Sequence, residues 1–438
     1  MGSVARPGKY ETEPLGCWGR AKELRLSHYK DLAAAREQGK LIITGCETVP
    51  ALPAGLGESI YFGGECYGAT VGADAAFSQE CAQAVETRGF ARDLCSYMRN
   101  YWGSLFLDRF YFGGPFPRPD LCFHMQVGCE SQSKWFQLVA EYLNIPNFFI
   151  EMPIALEAEE NENCISYLVS QMQDSIGWME QVTGREYNDD SLLAAVSNQL
   201  EMASLWAETC LLNQAVPAPL DEKSIFSLFV IKLLMGSDTE AVEFYRMVRD
   251  EMKHRVSRGI AALATERCRI FHDSQPPWHF LGIYRYMESY GAVTLGSHYS
   301  YFMHSGFQTL LDGTFVAADP PGRAGRMFGG REEALRALAV HSLRQPMWQT
   351  RLFPHLKNRH MADMVKQWHA DAVVIHLNRG CEGLAIGQME NRLALQRGGV
   401  PVMAYEGNMS DSQEFEQAQV LDTVDAFMES LGLKKGDC

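Results

Sequence analysis

The chain contains one strand–helix–strand pattern twice, and this duplication restricts the folds that it can adopt. Residues 120–153 read DLCFHMQVGCESQSKWFQLVAEYLNIPNFFIEMP, and residues 371–407 read DAVVIHLNRGCEGLAIGQMENRLALQRGGVPVMAYEG. Each copy has an acidic residue, a continuous apolar run, a Gly-Cys pair, a helix-like segment, a turn that ends in proline and a second apolar run. Continuous apolar runs separated by helices are typical of a parallel sheet that is covered on both faces. The sequence therefore predicts two α/β units of the same design.

Further apolar runs extend this pattern along the chain. The predicted strands are residues 41–46, 59–64, 121–127 and 147–153 in the first half and 268–274, 292–299, 372–377 and 400–407 in the second. Between the halves, residues 160–262 have helical periodicity, and an amphipathic segment at 20–39 precedes the first strand and ends at a glycine. We therefore predict an α/β fold that comprises an N-terminal helical arm (1–39), a first parallel-sheet domain (40–160), a helical bridge (161–262) and a second parallel-sheet domain (263–438).

Cys129 and Cys381 hold corresponding positions in the two copies, each after a strand and before a helix. This position lies at the carboxyl edge of a parallel sheet, where open α/β sheets bind their ligands. The positive end of the helix dipole is expected to lower the pKa of a thiol there and to favour the thiolate. Gly128 and Gly380 would let the backbone approach a ligand closely. The alternative is that both cysteines are small residues packed in strand-to-helix turns.

The cysteine content favours metal ligands over disulfides. The chain has 12 cysteines in 438 residues, and a chain of this length without an export signal can build a core that needs no covalent cross-links. No CxxC pattern occurs, so the ligands of a metal group would have to come from distant segments. A nucleophilic role for Cys129 is a rival interpretation, but the sequence places no catalytic base beside it.

Composition excludes several other classes of function. The formal net charge of -15 argues against nucleic-acid binding, which requires clustered basic residues. No apolar stretch reaches the roughly 18–20 residues of a membrane span, and the first residues lack the apolar core of a secretory signal, so we expect a cytoplasmic protein. The pattern GxxxxGK[ST] is absent, so any ATP hydrolysis would take place on another chain.

A third thiol, Cys95, lies in the segment ETRGFARDLCSYMRNYWGS (86–104). Gly89 is predicted to end one helix and Asp93 to cap the next, which would place Cys95 in or near the first turn. Three thiols at three helix N-termini, drawn from both halves, would meet in the cleft between the domains. Three thiolates on a four-iron cubane leave one iron without a protein ligand, and an open iron can bind a substrate oxygen or pass electrons to it.

The ordered segments DLCSYMRNYWG, VGCESQSKWF and NRGCEGLAIGQ resemble the three cluster-binding segments of the 2-hydroxyacyl-CoA dehydratase and benzoyl-CoA reductase family. The resemblance extends from about residue 40 to about residue 420 and includes PPWHFLGIYRYMESYGAV and GVPVMAYEGNMSDSQEF. It implies two flavodoxin-like (Rossmann-like) domains with a [4Fe-4S] cluster held between them. Carried over residue by residue, it implies that the cluster ligands are Cys95, Cys129 and Cys381.

Within this family the chain is most similar to a substrate-reducing subunit (B or C type) of ATP-dependent benzoyl-CoA reductase. The resemblance implies reduction of the aromatic ring of a CoA thioester to a cyclic diene in anaerobic degradation of aromatic compounds. It also implies two partners, a homologous cluster-bearing subunit and an ATPase that delivers electrons from ferredoxin. Two alternatives stay open: a subunit of a 2-hydroxyacyl-CoA dehydratase that eliminates water through a ketyl radical, and a non-catalytic or double-cluster electron relay.

Additional candidate residues follow from their positions. Cys66, before a Gly-rich turn, is a candidate extra ligand, and Cys46, at the end of the first strand, is a weaker one. The candidates for proton donation to the substrate lie just beyond the strand at 292–299 and are His298, Tyr299 and His304, with ordinary loop packing as the alternative. The Gly/Arg loop at 322–332 is a candidate for contact with CoA phosphates, with a solvated loop as the simpler interpretation.

Overall fold

Two parallel four-stranded sheets form the framework of the protein in the computed structural model, which describes residues 9–153, 162–324 and 328–436. The strands are β1 (Leu41–Gly45), β2 (Ser59–Gly63), β3 (Leu121–Gln126), β4 (Asn147–Glu151), β5 (Cys268–Asp273), β6 (Ala292–Gly296), β7 (Phe307–Thr309), β8 (Phe315–Ala317), β9 (Ala372–Asn378) and β10 (Val402–Gly407). The first sheet has the order β2-β1-β3-β4 and the second the order β10-β9-β5-β6. The prediction of two flavodoxin-like parallel sheets is confirmed, and each of the eight predicted apolar runs contains a strand.

Helices cover both sheets and fill the region between them in the sequence. They are α1 (Trp18–Ala34), α2 (Gly64–Gly72), α3 (Ala75–Glu86), α4 (Ser96–Phe106), α5 (Glu130–Leu143), α6 (Glu162–Thr183), α7 (Asp189–Leu212), α8 (Glu222–Phe229), α9 (Ile231–Leu234), α10 (Thr239–Arg258), α11 (Gly282–Glu288), α12 (His298–Phe302), α13 (Arg331–Arg344), α14 (Pro346–Leu352), α15 (Pro354–Gln367), α16 (Glu382–Ala385), α17 (Gln388–Arg397) and α18 (Gln417–Ser430). Among the described helices, none has the length and apolar character needed to cross a membrane.

The first helix differs from the prediction at its end. Helix α1 stops at Ala34 rather than at Gly39, and the intervening residues form turns. The Gly39 N–H donates to the Arg36 carbonyl, and Gly39 adopts a left-handed φ of 69°. The glycine therefore ends the turns that lead into β1, not the helix itself.

The helical middle of the chain connects the two halves through its longest helix. Asn188 caps α7 by accepting a hydrogen bond from the Ser191 N–H at 2.8 Å. Helix α7 packs against α10, against the short helical turn Leu52–Leu56 of the first half, and against α13 and strand β8 of the second half. Its mostly buried side chains thus contribute to the core on both sides.

A buried ion pair joins the first half to the second beside the helix that follows Cys95. The Arg99 guanidinium, 1% exposed, donates to Asp411 at 2.9 Å and lies 3.2 Å from Glu86. Nearby, the Ser78 hydroxyl donates to the Ser410 carbonyl at 3.1 Å. These contacts hold α3 and α4 against the loop that follows β10.

Candidate metal centre

Each of the three predicted ligand cysteines occupies the residue immediately before a helix. Cys129 is the N-cap residue of α5, Cys381 that of α16 and Cys95 that of α4. The chain reaches Cys129 and Cys381 through glycines with left-handed φ angles of 73° and 72°, a conformation that side chains rarely tolerate. This turn lets the strand end and the helix begin within two residues.

The prediction that Asp93 caps the helix at Cys95 was wrong, because Cys95 itself is the cap residue. Asp93 and Leu94 instead form the surface against which Gly380 packs. A Cβ atom added to Gly380 would lie 2.9 Å from the Asp93 carbonyl oxygen and 3.1 Å from that of Leu94. Glycine at position 380 is therefore required for the turn before Cys381 to reach the segment of Cys95.

A second close contact brings the segments of Cys129 and Cys381 together. A Cβ atom added to Gly383 would lie 3.5 Å from the Cβ of Cys129. The Ser131 N–H and hydroxyl, at the start of α5, both donate to the Glu382 carboxylate at 3.1 and 2.9 Å. The structure thus brings together three cysteines from both halves of the chain.

The expectation that the helix dipoles would lower the pKa of these thiols was wrong. Burial raises the pKa of Cys129 to about 12 and also raises the pKa values of Cys95 and Cys381. Removal from water penalises the thiolate more than the helix ends favour it. The cysteines are consequently protonated at neutral pH in the protein without metal, which argues against a free nucleophile. A bound cation would have to displace these protons.

Two charged residues that the sequence analysis missed lie beside the three cysteines. Glu65, 8% exposed, accepts a hydrogen bond from the Gln132 amide through Oε1, while its Oε2 has no hydrogen-bond partner among the described residues. Arg351 Nε lies 3.4 Å from the position of a Gly383 Cβ. Burial raises the pKa values of Cys129 and Cys381, and the positive charge of Arg351 offsets part of this rise. The signal for Glu65 was its place in GGECYG, but nothing local marked Arg351.

The pKa of Glu65 is raised, first because the carboxyl group is buried. The positive charge of Arg351 and the hydrogen bond from Gln132 oppose this effect.

Gln275, from the second half of the chain, contacts the thiol of Cys381, because its amide donates to Cys381 Sγ at 3.4 Å. The Gln275 oxygen is fixed in turn by the Asn378 amide at 3.1 Å.

The two other candidate cysteines, Cys46 and Cys66, lie near the carboxyl group of Glu47. Cys66, 3% exposed, donates its backbone N–H to the Glu47 carboxylate at 3.1 Å. Ligand atoms of Cys46, Glu47 and Glu65 lie within 4.8 Å of one another. Burial raises the pKa of Cys66, and so do the nearby Glu47, Glu65 and Cys46. Cys66 therefore belongs to a carboxyl-rich neighbourhood next to the three-cysteine cluster.

The predicted proton donors occupy different surroundings. Tyr299 is 2% exposed, and burial, together with the neighbouring Tyr97, raises the pKa of its hydroxyl group. His298 lies 3.4 Å from the Thr350 hydroxyl, while His304 lines a small cavity with Lys232 and Glu47. Burial lowers the pKa values of both histidines, so their rings are neutral at neutral pH.

The Gly/Arg loop has its described arginines in ion pairs. Arg323 pairs with Glu201 at 2.9 Å and with Glu208, and Arg331 pairs with Asp189 at 2.7 Å. Residues 325–327 of this loop lie outside the described residues. The described part of the loop thus docks on α7 and does not present free cations.

The donor set fits an iron–sulfur cluster. Thiolates are the usual ligands of such clusters. The three thiols come from three helix starts of both halves, with Cys129 and Cys381 buried and Cys95 partly buried. Within the described part of the chain, the buried Glu65 Oε2 and Arg351 Nε have no hydrogen-bond partner, so a bound group could supply one.

Comparisons with known proteins identify relatives that act on CoA thioesters. The family model described as 2-hydroxyglutaryl-CoA dehydratase, D-component, matches residues 42–431. The (R)-phenyllactyl-CoA dehydratase alpha subunit of Clostridium sporogenes is 23% identical, with 82% of this chain and 81% of that protein covered. The (R)-2-hydroxyisocaproyl-CoA dehydratase alpha subunit of Clostridioides difficile is 22% identical, with 82% of each covered. A subunit of the benzoyl-CoA reductase of Thauera aromatica is 21% identical, with 80% of this chain and 79% of that protein covered.

Proposed function

Because the chain belongs to the 2-hydroxyglutaryl-CoA dehydratase D-component family, as its sequence resemblance indicated, we propose that it is the iron–sulfur subunit of an ATP-dependent benzoyl-CoA reductase. The family includes subunits of 2-hydroxyacyl-CoA dehydratases and of a benzoyl-CoA reductase. The observation that carries the proposal is the convergence of Cys95, Cys129 and Cys381 beside a buried carboxyl group. These three cysteines would hold a [4Fe-4S] cluster.

When bound, a cluster with one iron free of protein ligands supplies single electrons and a Lewis-acidic position for a substrate oxygen. Arg351 favours the thiolate forms of Cys129 and Cys381, as its effect on their pKa values indicates. The remaining contributions of the protein are the exclusion of water and the supply of protons, because each electron added to an aromatic ring needs a proton.

Glu65 is the residue best placed to supply protons. Burial raises the pKa of its carboxyl group, which favours a carboxyl that still carries a proton to donate. The Gln132 amide fixes Oε1, which leaves Oε2 as the atom that would face the substrate. Tyr299, which is also buried, would help to exclude water from this region.

The choice of the reductase over the dehydratase rests on the resemblance of residues 276–293 and on the length of the chain. This segment contacts the helix that follows Cys95, because Trp278 Nε1 donates a hydrogen bond to the hydroxyl of Tyr97. A 2-hydroxyacyl-CoA dehydratase is the second candidate, and the names of the two clostridial relatives favour it. In both cases a homologous subunit and an ATPase would be the protein partners.

The cluster assignment is tested by anaerobic purification of the chain with its partner. We expect about four irons per chain, and loss of this iron after Cys129→Ala or Cys381→Ala. Cys122→Ala is the matched control, since Cys122 is a fully buried thiol in β3, and it should retain the iron. Full iron content in the Cys129 and Cys381 variants would contradict the assignment.

The reaction is tested by assaying the complex, with ATP and a low-potential reductant, on benzoyl-CoA and on a 2-hydroxyacyl-CoA. Reduction of benzoyl-CoA supports the proposal. Turnover of the 2-hydroxyacyl-CoA alone would replace it with the dehydratase function.

A further inference from the structure

The loop that follows β5 holds a side-chain amide against the sulfur of Cys381. Gln275, the second residue after that strand, is 4% exposed and donates from Nε2 to Cys381 Sγ at 3.4 Å. As a thiol, Cys381 can also donate to Gln275 Oε1, at 3.5 Å. A cysteine that binds a metal has lost its proton, so the contact from Nε2 to the sulfur is the one that a ligand cysteine keeps.

Two neighbouring donors fix which end of this amide faces the sulfur. The Asn378 amide donates to Gln275 Oε1 at 3.1 Å, and the Ser274 hydroxyl donates to the same oxygen at 3.0 Å. Asn378 is itself held in this orientation, because its side-chain oxygen accepts the Met409 N–H at 3.0 Å. A flipped Gln275 amide would place its NH2 group against that of Asn378 and lose a buried hydrogen bond. The N–H group is therefore directed at Cys381.

The backbone of this loop adopts an uncommon conformation. Ser274 has a left-handed φ of 82°, which residues with a side chain adopt at an energetic cost. The His376 ring nitrogen Nδ1 lies 2.7 Å from the Gln275 carbonyl oxygen and fixes the following residue. Strained backbone of this kind persists where the surrounding contacts over-determine it, and it is concentrated at functional sites. The strain therefore suggests a function for the position of Gln275.

The first half of the chain has a different group at the corresponding position. Glu47 is the second residue after β1, as Gln275 is the second residue after β5. The Glu47 carboxyl group accepts the Cys66 N–H at 3.1 Å, whereas the Gln275 amide donates to a sulfur. The repeated strand-to-helix design thus accommodates either an acceptor or a donor at this position. The donor beside Cys381 is consequently not a requirement of the fold.

We propose that Gln275 sets the reduction potential of the [4Fe-4S] cluster by donating a hydrogen bond to the sulfur of its ligand Cys381. Reduction adds one electron to the cluster and breaks no bond, and the amide keeps its proton. The added negative charge is shared by the ligand sulfurs, so a donor to one of them stabilises the reduced form more than the oxidised form. Gln275 thereby raises the potential and favours acceptance of the electron that the ATPase partner would supply. The inference rests on the proposed function, which supplies the cluster.

The role of Gln275 is tested by a redox titration, which requires no turnover. The anaerobic complex of the chain with its partner is reduced stepwise with a low-potential reductant, and the reduced cluster is followed by electron paramagnetic resonance. Gln275→Met keeps the length of the side chain but removes the N–H group. We expect the equilibrium constant for reduction to fall about tenfold, a shift of about 59 mV to lower potential for one electron, with the iron content retained.

Two controls accompany this titration. Gln199→Met is the matched variant, since Gln199 is a buried glutamine whose side-chain oxygen accepts the Ala51 N–H at 3.2 Å, and it should leave the potential unchanged. A cluster in the homologous partner subunit serves as an internal reference, because the substitution is made in this chain alone. A change of less than about twofold in the equilibrium constant for Gln275→Met, with its iron intact, would overturn the role of Gln275.

A second measurement uses the parent protein, so it decides the matter even if Gln275→Met does not fold or loses its iron. The complex is prepared with a heavy nitrogen isotope in the side-chain amide of glutamine. Pulsed electron paramagnetic resonance of the reduced cluster should detect a weak coupling to this nitrogen through the N–H···S contact. A reduced cluster in the parent without such a coupling would overturn the proposal, as would a coupling that Gln275→Met retains in full.

The two proposals fail in different ways. A parent complex that holds the cluster but lacks the nitrogen coupling refutes the role of Gln275 alone. A parent complex in which this chain holds no iron would overturn the cluster assignment and the role of Gln275 with it.

Discussion

Replacing Arg99 by methionine should loosen the contact between the two halves at the helix that carries Cys95. The guanidinium is 1% exposed and its partner Asp411 is 7% exposed. Removing one member of a buried ion pair leaves the other charge buried and unpaired, which typically costs about 3–5 kcal/mol. Glu86 adds little, because its side chain is 39% exposed and such pairs contribute about 0–1 kcal/mol.

This loss can be measured by urea unfolding of the purified chain. At a slope of about 3 kcal/mol/M, the unfolding midpoint should fall by roughly 1 M or more. The variant should also lose iron faster to a chelator. The backbone N–H of Arg99 donates to the Cys95 carbonyl at 3.0 Å in the first turn of α4, so a displacement of α4 would displace Cys95 as well. Arg36→Met is the control, since Arg36 pairs with Asp120 at the surface, and it should cost less than about 1 kcal/mol.

The double variant Arg99→Met with Asp411→Asn separates the ion pair from simple loss of packing. If the buried charge of Asp411 is the main cost, its removal should restore much of the stability that Arg99→Met loses. A midpoint within about 0.3 M of the parent for Arg99→Met, about 1 kcal/mol at the same slope, would refute the reasoning.

Three further predictions concern the site itself. Burial and the nearby Glu65 raise the pKa of Glu47 to about 8 from an ordinary 4.5. The unfolded chain therefore loses this proton at a lower pH than the folded chain, and the free energy of unfolding should fall as the pH rises from about 4.5 to 8. Glu47→Gln should flatten that fall in unfolding midpoints measured at pH 6 and pH 8, whereas parallel profiles would contradict it. Glu65→Gln should lower kcat at least 100-fold with iron retained, and unchanged kcat would exclude Glu65 as proton donor. Gly380→Ala should destabilise the fold by about 1–3 kcal/mol and reduce the iron content. The φ angle of Gly380 is 72°, and the new Cβ would clash with the Asp93 carbonyl. A normal iron content would argue against the close approach of these segments.

The sequence by itself determined the two sheets and the positions of three cysteines. Apolar runs and helical periodicity are local, since they depend on how neighbouring side chains alternate between core and solvent. The duplicated Gly-Cys turn therefore marked Cys129 and Cys381 before any contact was known, and the ordered triple with Cys95 identified the family.

Only the tertiary structure showed what surrounds those cysteines. Arg351 is separated from the Val127 carbonyl, its hydrogen-bond acceptor, by 224 positions in the chain, and Lys232 reaches the small cavity from the helical middle. Burial also reversed the expected direction of the thiol pKa values, because desolvation depends on segments that fold together from distant parts of the chain. Charge partners and access to water are properties of the assembled interior, so local patterns marked the candidate cysteines but not their electrostatic environment.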